Sequence, residues 1–220
     1  MAELRDAFGA LADPERAEQQ AAYMKDHFPF LGLGTPERRK AQKPVLDSME
    51  AADGDDLLAF AHACYAEPER EFHYAAADAL RRHVKVLEAH HLAGIEDLIS
   101  TNAWWDTVDS LAVHTVGPLV KRHPELSPVM DEWVGDDDLW IARTAILHQL
   151  MWKDDTDAER LFGYVDARAA DTEFFIRKAC GWALRQYART DPDAVRAFVD
   201  AREDTLSGLT KREARKHLDR

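Results

Sequence analysis

Cysteine is nearly absent from this 220-residue sequence, which holds only Cys64 and Cys180. Both lie in alanine-rich, helix-like runs. Two thiols are too few for a disulfide framework, so a reducing, cytoplasmic setting is expected. No run of about 18 apolar residues occurs, which argues against a membrane span. The opening residues, MAELRDAFGALADPERAE, carry early acids and no apolar stretch, so a secretory signal peptide is not expected. Strand patterning is missing as well: no segment alternates apolar and polar residues between Asn-Gly or Asp-Gly turns. The ten histidines form no HExxH, there is no Cys-x-x-Cys pair, and P-loop, GxGxxG and GxSxG motifs are lacking. Neither a metal nor a cofactor is therefore expected. Ser110 and His114 stand one helical turn apart but have no evident orienting acid. His114 and His148 read as satisfied helix histidines.

What is present is helical. Hydrophobic residues make up 46% of the chain, enough for a substantial core. Leu, Ala, Arg and Glu fill the long runs, all good helix formers. Asp13-Pro14-Glu15 has the form of an N-cap followed by proline at the first helical position, and Thr35-Pro36-Glu37 and Asp191-Pro192-Asp193 repeat it. Gly117-Pro118 reads as the end of one helix and the start of the next. No linker or low-complexity tract divides the chain, so residues 1–220 are expected to form a single domain.

The sequence also repeats. FHYAAADAL from Phe72, WDTVDSLAV from Trp105, WIARTAILH from Trp140 and FIRKACGWA from Phe175 align on an aromatic anchor, with anchors 33, 35 and 35 residues apart. That period fits a two-helix unit, and stacked units of this length give an all-α, HEAT-like helical-repeat solenoid. Counting each anchor as zero, positions 0, +3, +4 and +7 share one helix face. The face carries Trp105, Val108, Asp109 and Ala112, then Trp140, Arg143, Thr144 and Leu147, then Phe175, Lys178, Ala179 and Trp182. If it is plain core, Asp109, Arg143 and Lys178 are buried charges, costly unless paired. If it lines the concave surface of a solenoid, acid, base and aromatics together make a site. Trp104, Trp133, Trp140 and Trp152 are assigned to packing.

The net charge is −13. A uniformly acidic surface repels a polyanion, so the distribution of charge matters more than its sum. Acids pool in DGDD (53–56), GDDD (135–138) and DDTD (154–157), read as turns. Bases cluster elsewhere: Arg38, Arg39, Lys40 and Lys43; Arg81, Arg82 and Lys85; Lys121 and Arg122; Arg177 and Lys178; Lys211, Arg212, Arg215 and Lys216. Ordinary solvated helix faces explain this pattern, and so does one basic face on an acidic body.

YMKDHFPFLGLGTPERRK (23–40), PEREFHYAAADAL (68–80), NAWWDTVDSLA (102–112), DLWIARTAILHQL (138–150), FFIRKACGWALRQYARTDPDAV (174–195) and LTKREARKH (209–217) resemble the AlkD-like DNA alkylation repair proteins. The resemblance spans nearly the whole chain, in the family's order, and WWDTVDS with GWALRQYA is its most specific part. It implies stacked helical pairs whose concave, basic face holds duplex DNA. It also implies a monofunctional glycosylase that hydrolyses the N-glycosidic bond of cationic N3- or N7-alkylated purines without a base-flipping pocket. By motif match the catalytic residues are Trp105, Asp109, Arg143 and Trp182, and Tyr23 falls on a DNA-contacting position. Arg38, Arg39, Arg177, Lys178, Lys211 and Arg212 are the expected phosphate contacts. Gly34 stands where the family often has a longer polar residue.

The implied chemistry is self-consistent. An alkylated purine that is already cationic leaves readily, and one carboxylate and two indole faces can stabilise the positive charge that develops on the sugar. No lysine falls among the matched catalytic residues, so Schiff-base strand cleavage is not implied. The expected partner is duplex DNA containing alkylated purines, with no membrane and a monomeric protein. A non-catalytic DNA-structure binder on the same scaffold and a protein-binding solenoid are the alternatives.

Overall fold

The structure, a computed structural model, describes residues 1–216 and Leu218. His217, the last residue of the LTKREARKH segment, lies outside the described residues, as do Asp219 and Arg220. Helix accounts for 71% of the described residues, and no strand occurs among them. The fold is all-α, as expected. No helix among the described residues is long and apolar enough to cross a membrane. The chain forms two compact units, residues 1–102 and 103–220.

The first unit holds α1 (Ala2–Gly9), α2 (Pro14–Tyr23), α3 (Thr35–Ser48), α4 (Gly54–Tyr65), α5 (Arg70–Arg82) and α6 (Leu92–Ser100). Carboxylates start several of these helices by accepting otherwise orphaned N–H groups. Asp13 accepts the Arg16 N–H at 3.1 Å, with Pro14 at the first helical position. Asp53 accepts that of Asp56 at 2.9 Å. The start of α3 departs from the expected Thr35 cap. Its N-cap is Gly34, which has no side chain to offer, so Glu37 reaches back and accepts the Gly34 N–H at 3.0 Å. Helices α4 and α5 bring Leu57, Ala61, Ala76 and Leu80 together with no exposure, and Ile95 and Ile99 of α6 are equally buried. Each fully buried Leu or Ile contributes about 1.5–3 kcal/mol. Glu71 in α5 is almost fully buried. It fixes the loop before α3 by accepting the N–H groups of Leu31, Gly32 and Leu33 at 3.0, 2.9 and 3.1 Å.

The second unit holds α7 (Trp105–Leu111), a π-helical turn (Ala112–Val116), α8 (Gly117–Arg122), α9 (Ser127–Trp133), α10 (Leu139–Leu147), α11 (Ala158–Ala167), α12 (Phe174–Tyr187), α13 (Pro192–Asp200) and α14 (Gly208–Arg215). Helix α8 starts at Gly117-Pro118, as the sequence implied, and a π-helical turn leads directly into it. Pro118 has no N–H to give to an i−4 carbonyl, and the turn before it widens so that the Gly117 N–H reaches the Ala112 carbonyl. Gly117 is needed there for a second reason: a Cβ at that position would lie 2.1 Å from the His148 carbonyl oxygen. The repeat anchors mark helix starts, since Phe72, Trp105, Trp140 and Phe175 all fall within the first three residues of α5, α7, α10 and α12.

The 0/+3/+4/+7 face is largely core. Val108, Ala112, Thr144, Leu147 and Ala179 are fully buried and Trp140 nearly so. The aromatic cluster in this layer uses Trp104, one residue before the anchor. Its ring lies 5.6 Å from Trp140 and 5.1 Å from Phe175, and those two rings are 5.0 Å apart.

His148, just past α10, is sealed in the core. Its Nδ1 donates to the Ala145 carbonyl at 2.6 Å, and its ring meets Trp152 edge-on at 5.3 Å. Burial pushes the imidazole down to about 4, so the folded protein holds it neutral while the unfolded chain takes up a proton below about 6.5. The resulting stability is fully present above pH 6.5 and is lost as the pH falls toward 4, by roughly 3 kcal/mol over that window. Urea unfolding at pH 7 and pH 4.5 checks this. Wild type is expected to lose more stability between the two than His148→Gln, which keeps a donor but cannot titrate. Equal losses would show that His148 does not carry the effect.

Candidate functional site

Asp109 and Arg143 meet as a two-point ion pair. Arg143 Nε donates to Asp109 Oδ1 at 2.7 Å and Nη2 to Oδ2 at 2.8 Å. The third guanidinium nitrogen, Nη1, donates to the Phe175 carbonyl. One arginine on α10 thus reaches both α7 and α12. Its side chain is only 3% exposed, while that of Asp109 is 17% exposed, so the carboxylate keeps one edge toward solvent. Burial pushes the Asp109 carboxyl above the usual range, and the hydrogen bonds and charge of Arg143 oppose that rise. The expected buried charges are present, and they are paired.

The indoles divide into two groups. Trp140 and Trp133 are buried, whereas Trp105 and Trp182, like Trp104 and Trp152, are only half-buried. Trp105 precedes Asp109 by four residues on α7 and so lies on the same helix face. Trp182 follows Gly181, where a Cβ would lie 2.5 Å from the Cβ of Glu213 and 2.9 Å from the Thr210 carbonyl oxygen. That glycine lets α14 close on α12 beside the indole. Across the same contact, Glu213 accepts Lys178 and Arg185 at 2.6 Å each and Lys216 at 2.7 Å. Burial alone would raise the Glu213 carboxyl, but Lys178, Lys216 and Arg185 outweigh it and hold it down to about 2.

The cations singled out in the sequence have different surroundings. In the first unit Tyr23 is 73% exposed, an unusual position for a large aromatic side chain. Arg38 is buried: its guanidinium lies 3.1 Å from Asp78 and stacks 5.0 Å from the Tyr74 ring centre. Its charge is taken up within the unit by Asp78. Its neighbour Arg39, about 100° further round α3, is exposed and only loosely associated with Asp78 at 3.7 Å. In the second unit Arg177 donates to the Asp171 carbonyl at 2.6 Å, and Lys211 pairs with Glu203 at 2.7 Å. Lys178 belongs to the Glu213 cluster. Arg212 is exposed and makes no ion pair among the described residues.

Sequence reasoning missed the partners that fix these groups. Asp78, Glu213 and the Phe175 carbonyl stand 40, 35 and 32 residues from Arg38, Lys178 and Arg143, so no local signal joins them. Only the mid-thirties repeat period hints that equivalent positions would touch. Apart from this site, Asp55, His90 and His91 bring one potential ligand atom each within 4.8 Å of one another. His91 Nδ1 lies 2.8 Å from the Glu88 N and 3.2 Å from its carbonyl oxygen, and Nε2, 3.2 Å from Asp55, is buried without a hydrogen-bond partner among the described residues.

The model of the DNA alkylation repair enzyme family matches residues 4–218, and the chain belongs to that family. Its structure is similar to a solved structure described as a predicted DNA alkylation repair enzyme from Enterococcus faecalis, at 33% identity over 94% of this chain and 96% of that one, with a TM-score of 0.87. It also resembles in fold AlkD2 from Streptococcus mutans, at 19% identity over 93% of this chain and all of that one, with a TM-score of 0.65. No curated protein matches the sequence.

The two kinds of tryptophan are expected to respond differently to truncation. Trp140→Ala removes a buried indole and is expected to cost about 3–5 kcal/mol, while Trp182→Ala and Trp105→Ala cost distinctly less. Denaturant unfolding of the three variants checks this. A loss at Trp105 or Trp182 equal to that at Trp140 would make them core residues.

Proposed function

We propose that this DNA alkylation repair protein is a monofunctional glycosylase that releases cationic N3- or N7-alkylated purines from duplex DNA. Residues 1–220 serve it as a single DNA-binding domain. The observation that carries the reading is the Asp109 carboxylate, held by both oxygens yet open along one edge. A cationic purine becomes neutral as it leaves, so it needs little protonation. Positive charge moves to the deoxyribose, and a fixed carboxylate in a partly desolvated site stabilises it without reorganising. The same carboxylate orients the water that attacks the sugar. Trp105 and Trp182 offer electron-rich faces to the cationic nucleotide. Arg143 does not touch the substrate in this scheme: it keeps Asp109 ionised and in place. Tyr23, Arg39 and Arg212 contact the DNA backbone, with Lys178 and Lys211 supplying potential from within their ion pairs and Arg177 from its hydrogen bond to the Asp171 carbonyl, and Arg38 supports Arg39 from inside the unit.

The experiment is single-turnover release of N7-methylguanine from duplex DNA. Asp109→Asn keeps size and hydrogen-bonding capacity but loses the charge, which matters most when the sugar is cationic. Release is expected to slow at least ~10-fold, about 1.4 kcal/mol, with lesion-DNA affinity unchanged. The rate depends on the ionised carboxylate, so in wild type it falls as the pH drops through a value above the usual carboxylate range. The Asn variant lacks that acid limb. Wild-type release by Asp109→Asn would remove the carboxylate from the mechanism, and no release by wild type would favour a non-catalytic DNA binder.

A further inference from the structure

We infer that the first unit carries a binding site for one divalent transition-metal ion of the zinc type, formed by Asp55, His90 and His91. The inference rests neither on DNA as the substrate nor on the glycosylase chemistry. Asp55 lies in the first turn of α4, and the two histidines close the short 3-10 turn Ala89–His91 that leads into α6. No linear motif marks the site, because Asp55 stands 35 and 36 residues from the two histidines and only the fold joins them.

Three observations point to an ion. The first is His91, which is only 4% exposed. Its Nε2 makes no hydrogen bond among the described residues, yet it faces Asp55 Oδ1 at 3.2 Å. A buried ring nitrogen in that state is costly until a partner reaches it. The second is spacing. One ligand atom from each of the three residues lies within 4.8 Å of the others. A tetrahedral ion with bonds of about 2.0–2.2 Å holds its ligand atoms about 3.4 Å apart. The His91–Asp55 separation already matches, and His90 is exposed and has room to turn inward. The third is the space made for the ring. A Cβ on Gly54 would lie 2.3 Å from His91 Cε1 and 2.5 Å from Nε2, so any side chain there would drive the imidazole away from Asp55.

The donor set selects the ion. Two imidazole nitrogens and one carboxylate oxygen suit Zn²⁺, Co²⁺, Ni²⁺ or Cu²⁺, whereas Mg²⁺ and Ca²⁺ take oxygen ligands. Asp55 is not needed as a helix cap, since Asp53 accepts the Asp56 N–H at 2.9 Å. Its side chain is 84% exposed, so it can swing onto an ion while water fills the fourth position. Metal-ligating histidines donate their other ring N–H to a carbonyl or carboxylate. The Glu88 carbonyl, 3.2 Å from His91 Nδ1, is placed to accept it. As the ion enters, the ring exchanges its contact with the Glu88 N–H at 2.8 Å for that carbonyl. The bound ion ties the start of α4 to the turn before α6.

The test uses the full chain without a histidine tag, stripped by chelator and titrated with Co²⁺, whose visible absorption reports coordination. Wild type is expected to bind one Co²⁺ per chain, to release it to Zn²⁺ and to keep it in excess Mg²⁺. Asp55→Asn and His90→Gln change exposed side chains and so keep the fold. Each is expected to weaken Co²⁺ binding at least ~10-fold, the scale seen when groups around a metal are lost. Zn²⁺ binds the folded state, so it is expected to raise the thermal unfolding midpoint of wild type and not of Asp55→Asn. His123→Gln alters another histidine beside an acid, Glu125 at 3.2 Å, and should leave binding unchanged. No stoichiometric uptake by wild type, or uptake that survives both Asp55→Asn and His90→Gln, overturns the site. So does a loss in His123→Gln as large as theirs. Base release at Asp109 is untouched by either result.

Discussion

The second unit depends on a single guanidinium. Arg143 places two donors on Asp109 and one on the Phe175 carbonyl, which joins α7, α10 and α12 at one point. Removing an arginine and a carboxylate from water costs several kcal/mol each, and a pair of this kind seldom adds net stability over a well-packed apolar alternative. What the pair supplies is position and charge. The three donors from Arg143 to Asp109 and Phe175 belong to one rigid, planar group, which holds the carboxylate in place. Removing either partner leaves an unpaired charge in the core.

The acidity of the chain has a structural origin. The three acid-rich stretches each contain a helix cap: Asp53 for α4, Asp138 for α10 and Asp157 for α11. Carboxylates at helix N-termini satisfy orphaned N–H groups and meet the positive end of the helix dipole. Many-helix proteins with short turns need many such caps, and the net charge of −13 follows in part from that need. Most cations are then taken up by acids, as in the Lys178–Glu213 and Lys211–Glu203 pairs. Exposed arginines such as Arg39 and Arg212 stand out against that background, and a polyanion would meet them first.

The helical class was legible because caps, the repeat period and the lack of strand alternation all agree. Asp109, Arg143 and the half-buried pair Trp105 and Trp182 were legible as charged or aromatic positions on a face that is otherwise core. Burial separates those two indoles from Trp140, and no sequence spacing does. The structure parts Arg38 from Arg39 because successive helix residues point about 100° apart, and the partner that draws one inward, Asp78, is 40 residues away. The cap of α3 shifted by one residue because Glu37 supplies from N3 what Gly34 lacks. Gly117-Pro118 was legible as the start of α8, but the π-helical turn that leads into it and absorbs the missing proline N–H leaves no local sequence mark.

A double-mutant cycle between Asp109 and Arg143, read in single-turnover release of N7-methylguanine, tests most directly the claim that Arg143 acts through the carboxylate. Asp109→Asn, Arg143→Gln and the double variant are compared with wild type, and thermal unfolding confirms that each is folded. The account predicts strong non-additivity: once the charge on residue 109 is gone, losing the arginine slows release little further. Independent effects that multiply in the double variant would contradict it and would place Arg143 on the substrate in its own right.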